Sequence, residues 1–189
     1  MIAQQLLNGT PNAAALLEKA AAIRAKITDS DFEEDVNEHN ADYVDRFAKV
    51  LGTVDLPEGI ELELPKPLGP MTLNGVRVTF RPQLVVKKAT KTNKMRTGAI
   101  MLRYAKGKPL VPNIAAYQSS AIFGFMRMFD EDKVSEADKA LSITLDAYTG
   151  KCYLAPKDKA IYFFKEMRAA CESISERWPA IKPPNNAVL

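Results

Sequence analysis

Leu73-Asn74-Gly75-Val76-Arg77-Val78-Thr79-Phe80-Arg81 decides the fold, because the hydrophobic period changes there from helical to two. Asn-Gly is the pair that tight hairpins demand, since both residues tolerate positive φ. Val76, Val78 and Phe80 alternate with Arg77, Thr79 and Arg81. Leu84-Val85-Val86 continues as strand, and residues 89–97 form a basic loop. Ala99-Ile100-Met101-Leu102 is continuously apolar, as a strand buried on both faces requires.

Upstream the spacing is helical. Thr10 as N-cap and Pro11 in the first turn open a helix over about residues 11–27, striped by Leu16, Leu17, Ala20 and Ile23. Asp29 or Ser30 caps a second helix that runs to about Leu51 and stops at Gly52. Its face is Phe32, Val36, Tyr43, Phe47 and Val50, and Asp31, Glu33, Glu34 and Asp35 sit in its first turn, where the helix dipole favours carboxylates. Residues 53–70 carry four prolines and read as a connector, in which Ile60, Leu62 and Leu64 add a short edge strand.

Downstream, Pro109 and Pro112 break the chain before a helix over about residues 113–129, with Ile114, Tyr117, Ala121, Ile122, Phe125 and Phe129 at helical spacing. A short acidic helix or loop covers about 130–140. Leu141, Ile143 and Leu145 then alternate as a strand, Thr149-Gly150 turns, and Cys152-Tyr153-Leu154 pairs back. The last helix spans about 157–178, with Ile161, Phe164, Cys171, Ile174 and Trp178 on one face. The order ααβββαββα makes an α+β fold, with a mixed-sheet α/β fold as its near neighbour: a sheet of about five strands flanked by helices. The 189 residues suit one domain, divided into an acidic helical pair (1–52), the connector (53–70), the α/β core (71–178) and a flexible tail (179–189).

Composition narrows the function classes. Apolar residues make up 47% and charged residues 26%, which argues against a wholly disordered chain. No run approaches the roughly 18 apolar residues of a membrane helix, and MIAQQLLNGT lacks a charged, signal-like start, so the cytoplasm is the expected compartment. Cys152 and Cys171 fit no CxxC or zinc spacing and read as small buried residues. The formal charge of +3 conceals a division. Residues 64–129 contain twelve Lys and Arg but no Asp or Glu, while residues 1–63 carry −8 and residues 130–189 carry −1.

No Walker A loop, GxGxxG, HExxH or GxSxG is present, and nothing implies a cofactor. His39, the only histidine, lies within Glu38-His39-Asn40 on the polar side of the second helix and reads as solvated. Asp29-Ser30-Asp31-Phe32-Glu33 starts like a calcium loop, but Glu34 occupies the position where an EF-hand needs glycine, so a capped helix start is the better reading and no metal site is expected.

The succession of β-hairpin, strand, Arg103-Tyr104-Ala105-Lys106-Gly107-Lys108 and a helix carrying Tyr117 and Gln118 resembles the core of the PD-(D/E)XK nuclease superfamily, in its RecB-like and phage-exonuclease-like branches. The resemblance covers about residues 70–155. It implies an Asp after one hairpin strand and a D/E-x-K on the next. Here Arg103 stands where a metal-binding carboxylate is implied, and Arg81 and Gln83 stand where its partner Asp is implied. Guanidinium groups repel Mg²⁺ where carboxylates would hold it, so the expected protein is a non-catalytic relative. Asp146 or the acids of the second helix would have to substitute, through an unusual fold-back.

The sites expected to contact phosphates are Lys87, Lys88, Lys91, Lys94, Arg96 and Lys106, with Lys108 beside them and Arg103 and Tyr104 nearer the groove or core. Two adjacent strand ends would present them as one cationic surface to nucleic acid, in a setting of bacterial or phage DNA metabolism or defence that the resemblance implies. A solubilising, aggregation-resistant strand edge is the plainer account of the same lysines. An interaction module whose basic face meets an acidic protein is the alternative function. The acidic head can also neutralise the basic middle, within one chain or between two copies.

Overall fold

The computed structural model describes residues 1–9, 12–67, 69–129 and 135–182. Its elements in chain order are α1 (Ile2–Leu7), α2 (Ala13–Arg24), α3 (Asp31–Val50), β1 (Glu61–Glu63), β2 (Met71–Leu73), β3 (Val76–Val78), β4 (Leu84–Ala89), β5 (Met95–Arg103), α4 (Pro112–Phe129), β6 (Ser135–Asp146), β7 (Lys151–Leu154) and α5 (Ala160–Arg177). The fold is α+β, centred on a mixed five-stranded sheet of order β1-β4-β5-β6-β7. All neighbours pair antiparallel except β5 and β6, which are parallel and joined by α4 as the crossover.

Alternation along the strands sends the two faces to different helices. Leu84, Val86, Ile100, Ile143 and Leu145 pack with Leu16, Ala20, Val44, Phe47 and Ala48, so α2 and α3 cover one face. Ala99 packs with Phe80, Ile122 and Phe125, backed by Phe164 and Cys171, so α4 and α5 cover the other.

The Asn74-Gly75 hairpin forms, with φ of 44° and 85°. It is, however, a separate two-stranded ribbon rather than part of the central sheet. Its tip is fastened to α5: Asn74 Nδ2 donates to the Arg168 carbonyl at 3.0 Å, and a Cβ on Gly75 would lie 2.2 Å from Ser175 Oγ. Phe80, beyond the ribbon, stacks on Phe125 at 5.0 Å. The edge strand expected near Ile60–Leu64 is β1, paired with β4.

Several expectations need correction. The first helix of the chain is α1, six residues long and too short to show a period. Helix α2 is capped by Asn12, whose side chain accepts from Ala15 N–H, and the expected Thr10 and Pro11 start lies outside the described residues. Ser30 caps α3 by accepting from Glu33 N–H. Phe32 and Val36 do not face the core; they are 76% and 40% exposed, because buried positions on α3 begin at Ala41. At 20 residues α3 is about 30 Å long, and its first turns overhang the sheet.

On α5 the stripe likewise outruns its cover: Ile161, Ile174 and Trp178 are exposed while Phe164 and Cys171 pack. Cys152 and Cys171 are half-buried rather than buried. Residues 135–140, expected as an acidic helix or loop, are strand, and 130–134 lie outside the described residues. Strand β6 bulges here: Thr97 pairs with Ala137 but Ala99 with Ser142, and a Cβ on Gly98 would lie 2.1 Å from the Leu141 carbonyl oxygen, so glycine is required. The flexible tail expected from 179 begins instead with a 3-10 turn at Trp178–Ala180, and 183–189 lie outside the described residues.

Candidate functional site

The loop expected over residues 89–97 is a tight turn between β4 and β5. Thr90 N–H donates to the Lys94 carbonyl at 2.8 Å and Asn93 N–H to the Thr90 carbonyl at 2.9 Å, with Asn93 at φ 56°. Thr90 Oγ1 also accepts from Lys94 N–H at 3.0 Å. This is a three-residue hairpin loop closed by a left-handed residue, and it holds Lys91 and Lys94 outward on a rigid turn. Both are exposed, and neither forms an ion pair among the described residues.

Lys87, Lys88 and Arg96 lie at the base of the same hairpin, where pairing register supplies partners. Glu61 sits opposite Lys87, and Glu136 opposite Arg96. Lys87 Nζ is 2.7 Å from Glu63 Oε2, Arg96 Nη1 is 2.6 Å from Glu136 Oε2, and Lys88 Nζ donates to the Glu58 carbonyl at 2.6 Å.

Arg103, Tyr104, Lys106 and Lys108 do not join this group, contrary to the expectation of one surface. Arg103 ends β5 and the others follow it, and the nine residues of the strand separate the two clusters by about 25 Å. There Arg103 and Lys106 find partners within the chain. Arg103 Nη1 donates to the Lys108 carbonyl at 2.9 Å and stands 3.9 Å from Asp146 Oδ2. Asp146 is fully buried, its Oδ2 accepting from Leu110 N–H at 2.9 Å and its Oδ1 from Tyr148 N–H at 3.1 Å. Both its oxygens therefore brace the loops that leave β5 and β6. The Lys108 side chain itself is exposed.

Lys106 Nζ reaches Asp42 Oδ2 on α3 at 2.6 Å. Asp42 also pairs with Arg24, which binds Glu38 and Asp45 in addition and staples α2 to α3. Hydrogen bonds from Lys106 and then Arg24 hold the Asp42 carboxyl below its ordinary range, and the same Asp42 contact raises Lys106. The Tyr104 ring meets Tyr43 edge-on at 5.5 Å, and burial of the phenol pushes it up to about 12 although 43% of the residue stays open to solvent.

Tyr43, Gln83 and Tyr104 line a cleft of about 530 Å³ between α1, α3 and the strand ends, with Asn37 and Asn40 beside them. Gln83 is committed to the backbone, its Oε1 accepting from Leu102 N–H at 2.7 Å and its Nε2 donating to the Arg81 carbonyl at 3.1 Å. His39 is exposed, with Nδ1 2.7 Å from the Asp35 carbonyl oxygen. Among the described residues no three His, Cys, Asp or Glu side chains converge as metal ligands, and no helix is long and apolar enough to cross a membrane.

Sequence reasoning missed the anionic partners Glu63, Glu136 and Asp42. The acid-rich head was the available signal for Asp42 and Glu63, and the acids beyond residue 129 for Glu136, but neither told which acids would meet which bases. No family model matches the chain, and no curated protein or solved structure matches it.

Proposed function

We propose that this is a non-catalytic nucleic-acid-binding protein with a degenerate PD-(D/E)XK-like core, whose phosphate-binding surface is the β4–β5 hairpin tip. The observation that carries the reading is the pair Lys91 and Lys94, held outward on a hydrogen-bonded turn without ion pairs among the described residues. Lys88 and Arg96 flank them. Their partners are a backbone carbonyl and the exposed Glu136, and such exposed contacts are worth about 0–1 kcal/mol, so an arriving phosphate can displace them. Arg103 and Lys106 leave the proposed surface because they lie at the opposite end of β5.

Strand β5, α4 as crossover and a strand parallel to β5 support the later part of the resemblance, with Tyr117 and Gln118 on α4, while the 71–78 hairpin that begins it stands apart from the central sheet. The non-catalytic part rests on Arg81, Gln83 and Arg103 at the implied carboxylate positions, and on Asp146 being consumed by backbone N–H groups. A DNA-handling role in bacteria or phage follows from the resemblance alone.

The test is a fluorescence-anisotropy titration of a short labelled duplex at two salt concentrations. The parent binds at about 50 mM salt and weakens steeply with added salt, while Lys91→Glu/Lys94→Glu binds at least about tenfold more weakly with a shallower salt slope. Equal binding by parent and double variant removes the tip as the site. Absence of any binding at low salt favours the interaction module, with an acidic protein on the same tip.

A further inference from the structure

Away from the hairpin tip, on the sheet face covered by α4 and α5, these two helices and β2 leave a groove of about 330 Å³. Its floor is apolar, built from buried Leu73 and Phe123 and half-buried Phe164. Gly124 allows that floor to form: a Cβ there would lie 2.2 Å from the Phe164 ring, so the absent side chain is what lets the ring settle against α4. Met128 and Ile161 edge the groove with 39% and 43% of their surface still open.

Three cations, Arg127, Lys165 and Arg168, stand on the same groove, and no acidic residue lines it among the described residues. None of the three forms an ion pair with another described residue. The Arg127 guanidinium lies 5.7 Å over the Phe123 ring, and Arg168 Nη2 donates to Asn74 Oδ1, a neutral acceptor, at 3.3 Å. An apolar trough alone would suit a neutral molecule, and exposed lysines alone would be a solvated surface. The two together, with charges beside a poorly hydrated wall, suit a ligand that is apolar at one end and anionic at the other. The volume falls at the small end of ligand sites, enough for one chain or ring system and too little for a helix.

We infer that this groove binds a small amphipathic organic anion, its charged end against Arg127, Lys165 and Arg168 and its apolar part along the Phe123–Phe164 floor. The inference is independent of the nucleic-acid reading, because it uses a different face of the sheet.

Ligand-observed NMR titration of the whole chain with decanoate and with decanol tests it. Decanoate binds with Kd below about 1 mM, and decanol at least about tenfold more weakly. Arg127→Glu/Lys165→Glu raises the decanoate Kd about tenfold or more without changing decanol binding. Ile161→Trp, at an exposed position on the groove edge, blocks both. Lys91→Glu/Lys94→Glu leaves both unchanged, so failure here and failure of the hairpin-tip reading are separable. No decanoate binding up to about 5 mM, or an unchanged Kd in the Arg127/Lys165 variant with the parent's melting curve, overturns the inference.

Discussion

Lys91 and Lys94 precede β5, and Arg103 and Lys106 follow from its end; all four come from the same acid-free segment, yet the fold uses them in opposite ways. At the carboxyl end of β5, α3 lays Asp42 over the loop and β6 delivers Asp146 to the strand end, so cations become bracing for two loops. At the amino end the turn extends past β1 and carries its lysines into solvent. Local density of positive charge therefore does not tell which cations find a partner among the described residues. That depends on whether the topology returns a carboxylate to the same place. It does so for Lys106 and Arg103 and, at the hairpin base, for Lys87 and Arg96, but not for Lys91 and Lys94.

The comparison is most severely tested at Asp146. Replacing it with Ala leaves the Leu110 and Tyr148 N–H groups unpaired and is expected to cost about 3 kcal/mol, measured as a fall in urea midpoint at constant m. A loss below about 0.5 kcal/mol would mean that the carboxyl end is not braced as described. Next in size is Lys91→Glu/Lys94→Glu, where the expected loss is in binding, about tenfold or more, with stability within about 0.5 kcal/mol of the parent.

Lys106→Glu supplies the contrast. It places a like charge beside Asp42 and lowers stability modestly, but duplex affinity stays within about twofold, because this end is not the proposed surface. Equal losses of binding from the two ends would merge the clusters into one site and end the distinction.

The smallest effect is on pH dependence. Asp42 is held below its ordinary range in the folded chain, so its contribution is present above the unfolded value near 3.8 and is lost as pH falls through the folded value. Urea midpoints followed downward from pH 5 show this loss in the parent, and Asp42→Asn removes that component of the curve.

Much of the fold was legible because it rests on local chemistry. Asn74-Gly75 specifies its turn by conformation, Ser30 its helix start by a side-chain oxygen, and Leu141, Ile143 and Leu145 a strand by period. Period two does not say which sheet a strand joins, which is why the 71–78 ribbon reads as part of the main one. Helical period likewise does not say where the cover stops, so Phe32 and Trp178 read as core although both lie beyond it. At the candidate site the turn lysines were visible as residues of a basic loop. The Lys106–Asp42 pair was not, since it joins positions 64 residues apart.

The central position of β5 also has a kinetic consequence. Its pairing with β4 closes across five residues, whereas its pairing with β6 waits for α4 to dock and bring back residues from 135 onward. Short closures form in microseconds and non-local parallel pairing is slow, so pulse-labelled amides of the β4–β5 ladder should gain protection before those shared by β5 and β6. The lysine-bearing turn is then in place before Asp146 reaches its partners, and a nascent chain displays its cations to the surroundings while the other end is still unmade.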